Sequence, residues 1–185
     1  MITLNFMVKE EIEENDVFNR NNSYDYSELI SDFGDSNCMS YVFGAYEWMI
    51  PLDTEFEDAT DILEELGIDY DEDLCAAIDN ALDDLIFEYP LLIKLAIERM
   101  LKTFPDLRRI KNFNELKDDE YGIVYAAGGG DFHFGKYENG VYSHKMGDLS
   151  AEEVETEDDI FGYRYDSKRF RFAMKKGVVR YECWK

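Results

Sequence analysis

The chain has 185 residues, of which 45% are hydrophobic and 15% aromatic, and its formal net charge is −23. The length is typical of one domain, and the aliphatic and aromatic content excludes a chain that is disordered throughout. The charge excludes binding of nucleic acid or an anionic membrane through the acidic part of the chain, because contact with phosphate needs cations.

Three features of the sequence bear on location. The first nine residues lack the basic start and long apolar stretch of a secretory signal, and no apolar run approaches the ~20 residues that span a membrane. The three cysteines, Cys38, Cys75 and Cys183, are widely spaced and odd in number, which argues against a disulfide framework and for a reducing compartment. We therefore expect a cytoplasmic protein of the producing or host cell, without membrane contact.

The first third of the chain is predicted to contain a strand, a long polar loop and a helix. Residues 2–8 alternate between apolar and polar side chains, which favours a strand, and residues 9–35 are rich in Asn and Asp. A helix is predicted to begin near Asn37, because residues 35–37 are all favoured N-cap types, and to end before Pro51.

The segment 53–104 is predicted to be a helical insertion within a single domain that spans residues 1–185. Its helices are predicted at 58–67, at 71–88 and from Pro90 to Pro105.

The insertion is strongly acidic. Residues 53–88 hold fifteen Asp and Glu and no Lys or Arg, although their apolar residues recur at helical spacing. We expect helices with one buried face and a nearly all-anionic exposed face. That face is either ordinary solvated surface or the docking site of a basic protein partner.

The second half of the chain is predicted to form an antiparallel sheet, which gives an α+β fold. The predicted strands are residues 122–127, 132–137, 141–145, 163–174 and 178–184. Asn139-Gly140 is a strong signal for a hairpin turn, and Lys176-Gly177 is predicted to turn the last pair.

One cysteine and both histidines form the candidate catalytic group. His133 and His144 lie in the same predicted hairpin, and Cys38 lies at the predicted start of a helix, where the dipole favours a thiolate. An imidazole can hold the thiol proton, and a second histidine can orient the first. We therefore expect the Cys38 sulfur about 4 Å from the His133 ring, with His144 on its other side.

The same residues carry a resemblance to a known family. Residues 37–46, N-C-M-S-Y-V-F-G-A-Y, resemble the D-C-S-G-[FL]-V-x-x-x-[FY] helix of NlpC/P60 cysteine peptidases. Residues 133–144, H-F-G-K-Y-E-N-G-V-Y-S-H, resemble that family's H-V-G-I-Y-x-G-x-x-x-[FV]-x-H segment. The hairpin is also similar to the D-Y-H-[FW]…G-x-W-S-H-K-x-G pattern of some phage and bacterial proteins. Asn37 replaces the family's Asp, and the P-G-D-L strand entry is missing.

The resemblance implies a papain-like core, in which an N-terminal Cys helix packs on an antiparallel sheet, and a cysteine hydrolase that cleaves an amide or peptide bond. Cys38 would be the nucleophile, His133 the base and His144 the orienting residue. Within this mechanism the Cys38 backbone N–H would stabilise the oxyanion, helped by Asn37 or Ser36. Asp131 would support the base. The substrate would be a peptide or protein, and no cofactor or metal is expected, because zinc ligand pairs such as C-x-x-C are missing.

A second class of function stays open. A lone cysteine on an apolar helix is usually a core residue. The alternative for His133 is a packed strand residue, although its F-H-F setting near Asp131 favours an active base, and the alternative for His144 is a polar strand end. An acidic protein of this size can instead be a non-enzymatic binder, such as a DNA mimic that blocks a nuclease or repressor, with the papain-like core as a scaffold.

Overall fold

The computed structural model describes residues 37–45, 48–52, 58–83, 90–147, 149–162, 164–165 and 168–177. The helices are α1 (Cys38–Phe43), α2 (Ala59–Leu66), α3 (Glu72–Asp83), α4 (Pro90–Thr103) and α5 (Glu157–Phe161). The strands are β1 (Arg108–Ile110), β2 (Glu120–Gly128), β3 (Asp131–Glu138), β4 (Val141–Lys145), β5 (Ala151–Val154) and β6 (Phe170–Lys175), with a 3-10 helix at Phe113–Glu115.

The strands form one six-stranded antiparallel sheet in the order β1-β6-β2-β3-β4-β5. The α+β class and the antiparallel sheet are thereby confirmed. The hairpin β3–β4 turns at Asn139, which has a φ of 54°, and Gly140, as the Asn-Gly pair predicts.

The two faces of the sheet carry separate cores. Alternate residues of β2, such as Tyr125 and Ala127, join the larger core with α1, α2, α3 and α4. The residues between them, Val124 and Ala126, join a smaller core with α5 on the other face. The smaller core is completed by Ile160, Phe161 and Tyr165.

Helix α1 is shorter than the sequence predicts. The Asn37 side chain caps its start by accepting from the Ser40 backbone N–H at 3.1 Å. Gly44 ends it with a left-handed φ of 71°, so the helix stops at Phe43 instead of continuing to Pro51. The Asn37 amide also donates to the Met49 carbonyl at 2.6 Å, which holds residues 48–52 against the helix start.

The segment 53–104 forms helices, as predicted, over its described residues. Asp58 caps α2 and Gly67 ends it in the left-handed conformation, while Ile62, Leu63 and Ile78 are fully buried. Helix α4 occupies the predicted span between its two prolines. Among the described residues, no helix is both long and apolar enough to cross a membrane.

Four described elements were not predicted from the sequence. They are the short edge strands β1 and β5, the 3-10 helix and the short capped helix α5. The predicted strand 163–174 is also wrong in its first part, since β6 begins only at Phe170. The predicted strands 2–8 and 178–184 and the loop 9–35 lie outside the described residues.

Candidate functional site

The two histidines meet across the β3–β4 hairpin. Gly135 pairs with His144, which places His133 and His144 on the same face of the sheet, one diagonal step apart. His133 Nε2 lies 2.8 Å from His144 Nδ1, and His144 Nε2 lies 3.1 Å from Oε1 of Glu152 on β5. The result is a hydrogen-bonded chain from a buried ring, through a second ring, to an exposed carboxylate.

The smaller core encloses His133. Its ring stacks on Tyr165 at a centroid distance of 5.1 Å and meets the edge of Phe161 at 5.9 Å. Asp131 does not contact this ring through a hydrogen bond. Its carboxylate instead accepts from the Tyr165 hydroxyl and pairs with Arg164, each at 3.2 Å.

Burial disfavours the charged form of both histidines. It lowers the pKa of His133 from 6.5 to about 3, with further lowering by the neighbouring His144 and Arg164. Burial also lowers the pKa of His144, while the Glu152 carboxylate opposes that shift.

Cys38 lies at the start of α1, on the other face of the sheet. It is 6% exposed and belongs to the larger core, together with Phe132 and Phe134. Burial raises the pKa of the Cys38 thiol from 9.0 to about 12, although backbone hydrogen bonds from Phe134 and Met39 act in the opposite direction. The thiol is therefore protonated at neutral pH, contrary to the expected helix-activated thiolate.

No hydrogen bond joins the Cys38 thiol to the His133 ring among the described residues. Strand side chains alternate between faces, so Phe134 points towards α1 while its neighbour His133 points towards α5. Within the described part of the chain, the His133 ring hydrogen-bonds to His144 and not to Cys38. The expectation that His144 approaches His133 is confirmed. The expected approach of the Cys38 sulfur to about 4 Å from the His133 ring stays a prediction.

The supporting residues have structural contacts in this arrangement. Asn37 is 2% exposed and uses its side chain to cap α1 and to bind the Met49 backbone. Asp131 holds Tyr165 and Arg164. Ser36 lies outside the described residues.

The other candidate feature is the acidic helical surface, which we define as the exposed carboxylates of α2, α3 and their flanking loops. Its members are Asp58, Glu64, Asp69, Asp71, Glu72 and Asp73. Asp58 and Asp71 cap helix starts, and Glu64 accepts from the exposed Tyr70 hydroxyl. In the described part of the chain, none of the six forms an ion pair, whereas neighbouring Glu65 binds the buried Arg99 at 2.6 Å.

Comparisons with family models, with curated proteins and with solved structures find no match for this chain. The NlpC/P60 resemblance and the papain-like details of the core therefore stay predictions. The described residues also contain no group of three or more His, Cys, Asp or Glu side chains arranged to hold a metal ion.

Proposed function

We propose that this protein is a binding protein whose acidic helical surface docks on a basic surface of another protein. The observation that supports this proposal is the concentration of exposed carboxylates on α2 and α3 without ion pairs in the described part of the chain. Solubility needs a net charge of only about 2–8 for a small domain, and this chain carries −23.

The chemistry of the surface indicates the class of partner. A dense anionic surface speeds association with a cationic protein and rejects anionic ones. A nucleic-acid-binding protein already presents a cationic surface that accepts successive phosphates. We therefore favour a nucleic-acid-binding protein as the partner, with the acidic helical surface competing for the phosphate-binding site.

A pair of charge-matched variants tests the proposal. The surface variant carries Glu64→Gln, Asp69→Asn, Glu72→Gln and Asp73→Asn, which spares the capping residues and the Glu65–Arg99 pair. The control variant carries Glu98→Gln, Asp118→Asn, Glu153→Gln and Glu155→Gln, which are exposed positions elsewhere. Both variants lose four negative charges, so they differ only in where the charge is removed.

The measurement is affinity purification from the producing or host cell, with duplex DNA added as competitor before any cross-linker. We expect the parent and the control variant to retain one basic, nucleic-acid-binding partner, which DNA displaces, and the surface variant to lose it. Equal retention by all three proteins would refute the docking surface. Retention of a partner that DNA does not displace would refute the assignment of the nucleic-acid-binding class.

A second candidate function is hydrolysis of an amide or peptide bond by Cys38. The observation that favours it is that backbone groups of Met39 and Phe134 hydrogen-bond the thiol, while His133 directly precedes Phe134 on the same strand. In this reading, the His133 ring would have to move to the α1 side of β3 before it could take the thiol proton.

Thiol labelling separates the two functions. An activated Cys38 should react with iodoacetamide well below pH 8, and a Cys38→Ser variant should lose that reaction. A buried neutral thiol should instead react more slowly than Cys75, which is half-buried. A Cys75→Ser variant provides the control for site assignment. Fast, Cys38-dependent labelling at pH 6 would favour the hydrolase over the binding protein.

A further inference from the structure

The hydrogen-bonded histidine pair is buried beneath one short helix and a neighbouring tyrosine. His133 is 2% exposed and His144 is 4% exposed. They are covered by α5 and Tyr165, which we call the α5 cover. The cover packs against the smaller core, which the sheet separates from the larger core around α1 to α4.

The hydrogen bond between the two histidines persists when the pair gains one proton but not when it gains two. When His144 is protonated, its Nε2–H can donate to Glu152 at 3.1 Å and its Nδ1–H can donate to His133 Nε2 at 2.8 Å. A second proton on His133 would place two donors and two positive charges face to face, which breaks this bond.

The surroundings of His133 do not compensate that second charge. The groups that contact the pair, its cover or the ion-pair partners of that cover are Asp131, Glu152, Glu157, Arg164, Tyr165, Arg169 and Arg171. Helix α5 also carries Asp158, which pairs with Arg169, and Asp159, which accepts from Thr156. The strands around the pair further carry Lys136, Tyr137, Glu138, Tyr142, Lys145 and Glu153. Asp131 is engaged by Arg164 and Tyr165, and Glu157 is engaged by two arginines. The carboxylate that contacts the pair, Glu152, lies on the far side of His144.

We propose that the histidine pair is a pH-sensitive latch, whose double protonation releases the α5 cover from the sheet while the larger core stays folded. Release exposes the rings of His133 and Phe161 and lets both histidines titrate near their ordinary value. This inference rests on the smaller core alone and does not depend on the acidic helical surface.

Hydrogen exchange of the full chain at several pH values tests the latch, with rates converted to protection factors to remove intrinsic pH effects. A single histidine that is protonated only in the released state raises the opening equilibrium about thirtyfold between pH 7.5 and 5.0. We expect the protection of the amides in α5 to fall by at least that factor relative to those in β2. In the double variant His133→Gln, His144→Gln, the ratio of α5 to β2 protection should not change with pH.

Three results would overturn the proposal. The first is a constant ratio of α5 to β2 protection down to pH 5.0 in the parent. The second is the same pH-dependent fall in α5 protection in the double variant, which would point to the carboxylates of α5, Glu157, Asp158 and Asp159. The third, which needs no variant, is an NMR titration of the parent in which both histidines titrate near pH 6.5 while α5 stays protected.

Discussion

Among single residues, Glu120 shows how a buried charge is stabilised. Its side chain is 3% exposed, and the guanidinium of Arg108 approaches one carboxylate oxygen at 2.6 Å and the other at 2.9 Å. The hydrogen bond from Arg108 lowers the pKa of Glu120 from 4.5 to about 2, against the opposing effect of burial. The ion pair joins β1 to β2 across β6, which lies between them in the sheet.

Glu120→Gln should reduce the free energy of unfolding by roughly 2–4 kcal/mol at pH 7. Because the folded-state pKa is the lower one, this stabilisation is present above pH 4.5 and is lost as the pH falls towards 2. Urea denaturation at pH 7 and pH 3 checks both parts. Exposed Glu153→Gln is the control and should change stability by less than about 0.5 kcal/mol. If Glu120→Gln lowers the free energy of unfolding by the same amount at both pH values, the ionic explanation is contradicted.

The histidines and Cys38 show what sequence predicts at this scale. The Asn139-Gly140 turn sets the hairpin register, so the proximity of His133 to His144 could be predicted from local sequence. Which face of the sheet α1 covers could not be predicted from local sequence, because it depends on long-range packing between α1, β3 and α4. Cys38 therefore joined Phe134 in the larger core, where burial outweighs the favourable effect of the helix start on a thiolate.

Among the elements, α5 is held to the sheet by a close approach at Gly135. A Cβ atom at this position would lie 2.5 Å from Ile160 Cδ1 and 3.2 Å from Val124 Cγ1. The glycine in the hairpin is thus a packing requirement of the smaller core, and β3 can approach α5 because the side chain is missing.

Gly135→Ala should destabilise the protein by about 1–3 kcal/mol through overpacking against Ile160. Ile160→Ala removes the clashing atoms and should itself cost about 2–5 kcal/mol. In the double variant, the Gly135→Ala substitution should cost at least about 1 kcal/mol less than it does alone, as measured by urea unfolding in a double-mutant cycle. Strictly additive costs would show that Gly135 does not contact α5 as described.

The N-cap of α1 allows a second prediction at this scale. Asn37→Ala removes both the cap on Ser40 and the donor to Met49, and should cost about 2–3 kcal/mol. Asn37→Asp keeps the cap and loses the donor, so it should still destabilise at pH 7. The loss of unfolding free energy caused by Asn37→Asp should be smaller in acid, where a protonated carboxyl group can donate again. Equal stability of Asn37→Asp and the parent at pH 7 would contradict the role of the Met49 bond.

Short elements escaped prediction for physical reasons. Strand β5 and helix α5 have only four and five residues, so neither is long enough to show a repeating hydrophobic pattern. Their positions follow from pairing with β4 and from the capping box of Thr156 and Asp159. Helix α1 ended early because Gly44 adopts the left-handed conformation, which an isolated glycine in a helical pattern does not reveal.

For the whole molecule, the uneven charge is the property most directly linked to the proposed function. The cations of the sheet are largely engaged by nearby acids, as in the pairs Arg171–Glu157 and Lys175–Asp106. The exposed carboxylates of α2 and α3 form no ion pairs within the described residues. The concentration of acidic residues on α2 and α3 was predictable from sequence, since residues 53–88 contain no Lys or Arg.

The most direct test of the docking surface is the salt dependence of binding to one defined probe, an arginine-rich peptide labelled for fluorescence anisotropy. The parent, the surface variant and the control variant are compared from about 0.05 to 0.5 M salt, across which the Debye length shortens from above to below ~8 Å. We predict a steep fall in affinity with salt for the parent and the control variant, and a much weaker affinity with a shallower slope for the surface variant. Identical affinities and slopes for the two variants would show that only net charge matters, which would contradict a docking site on α2 and α3.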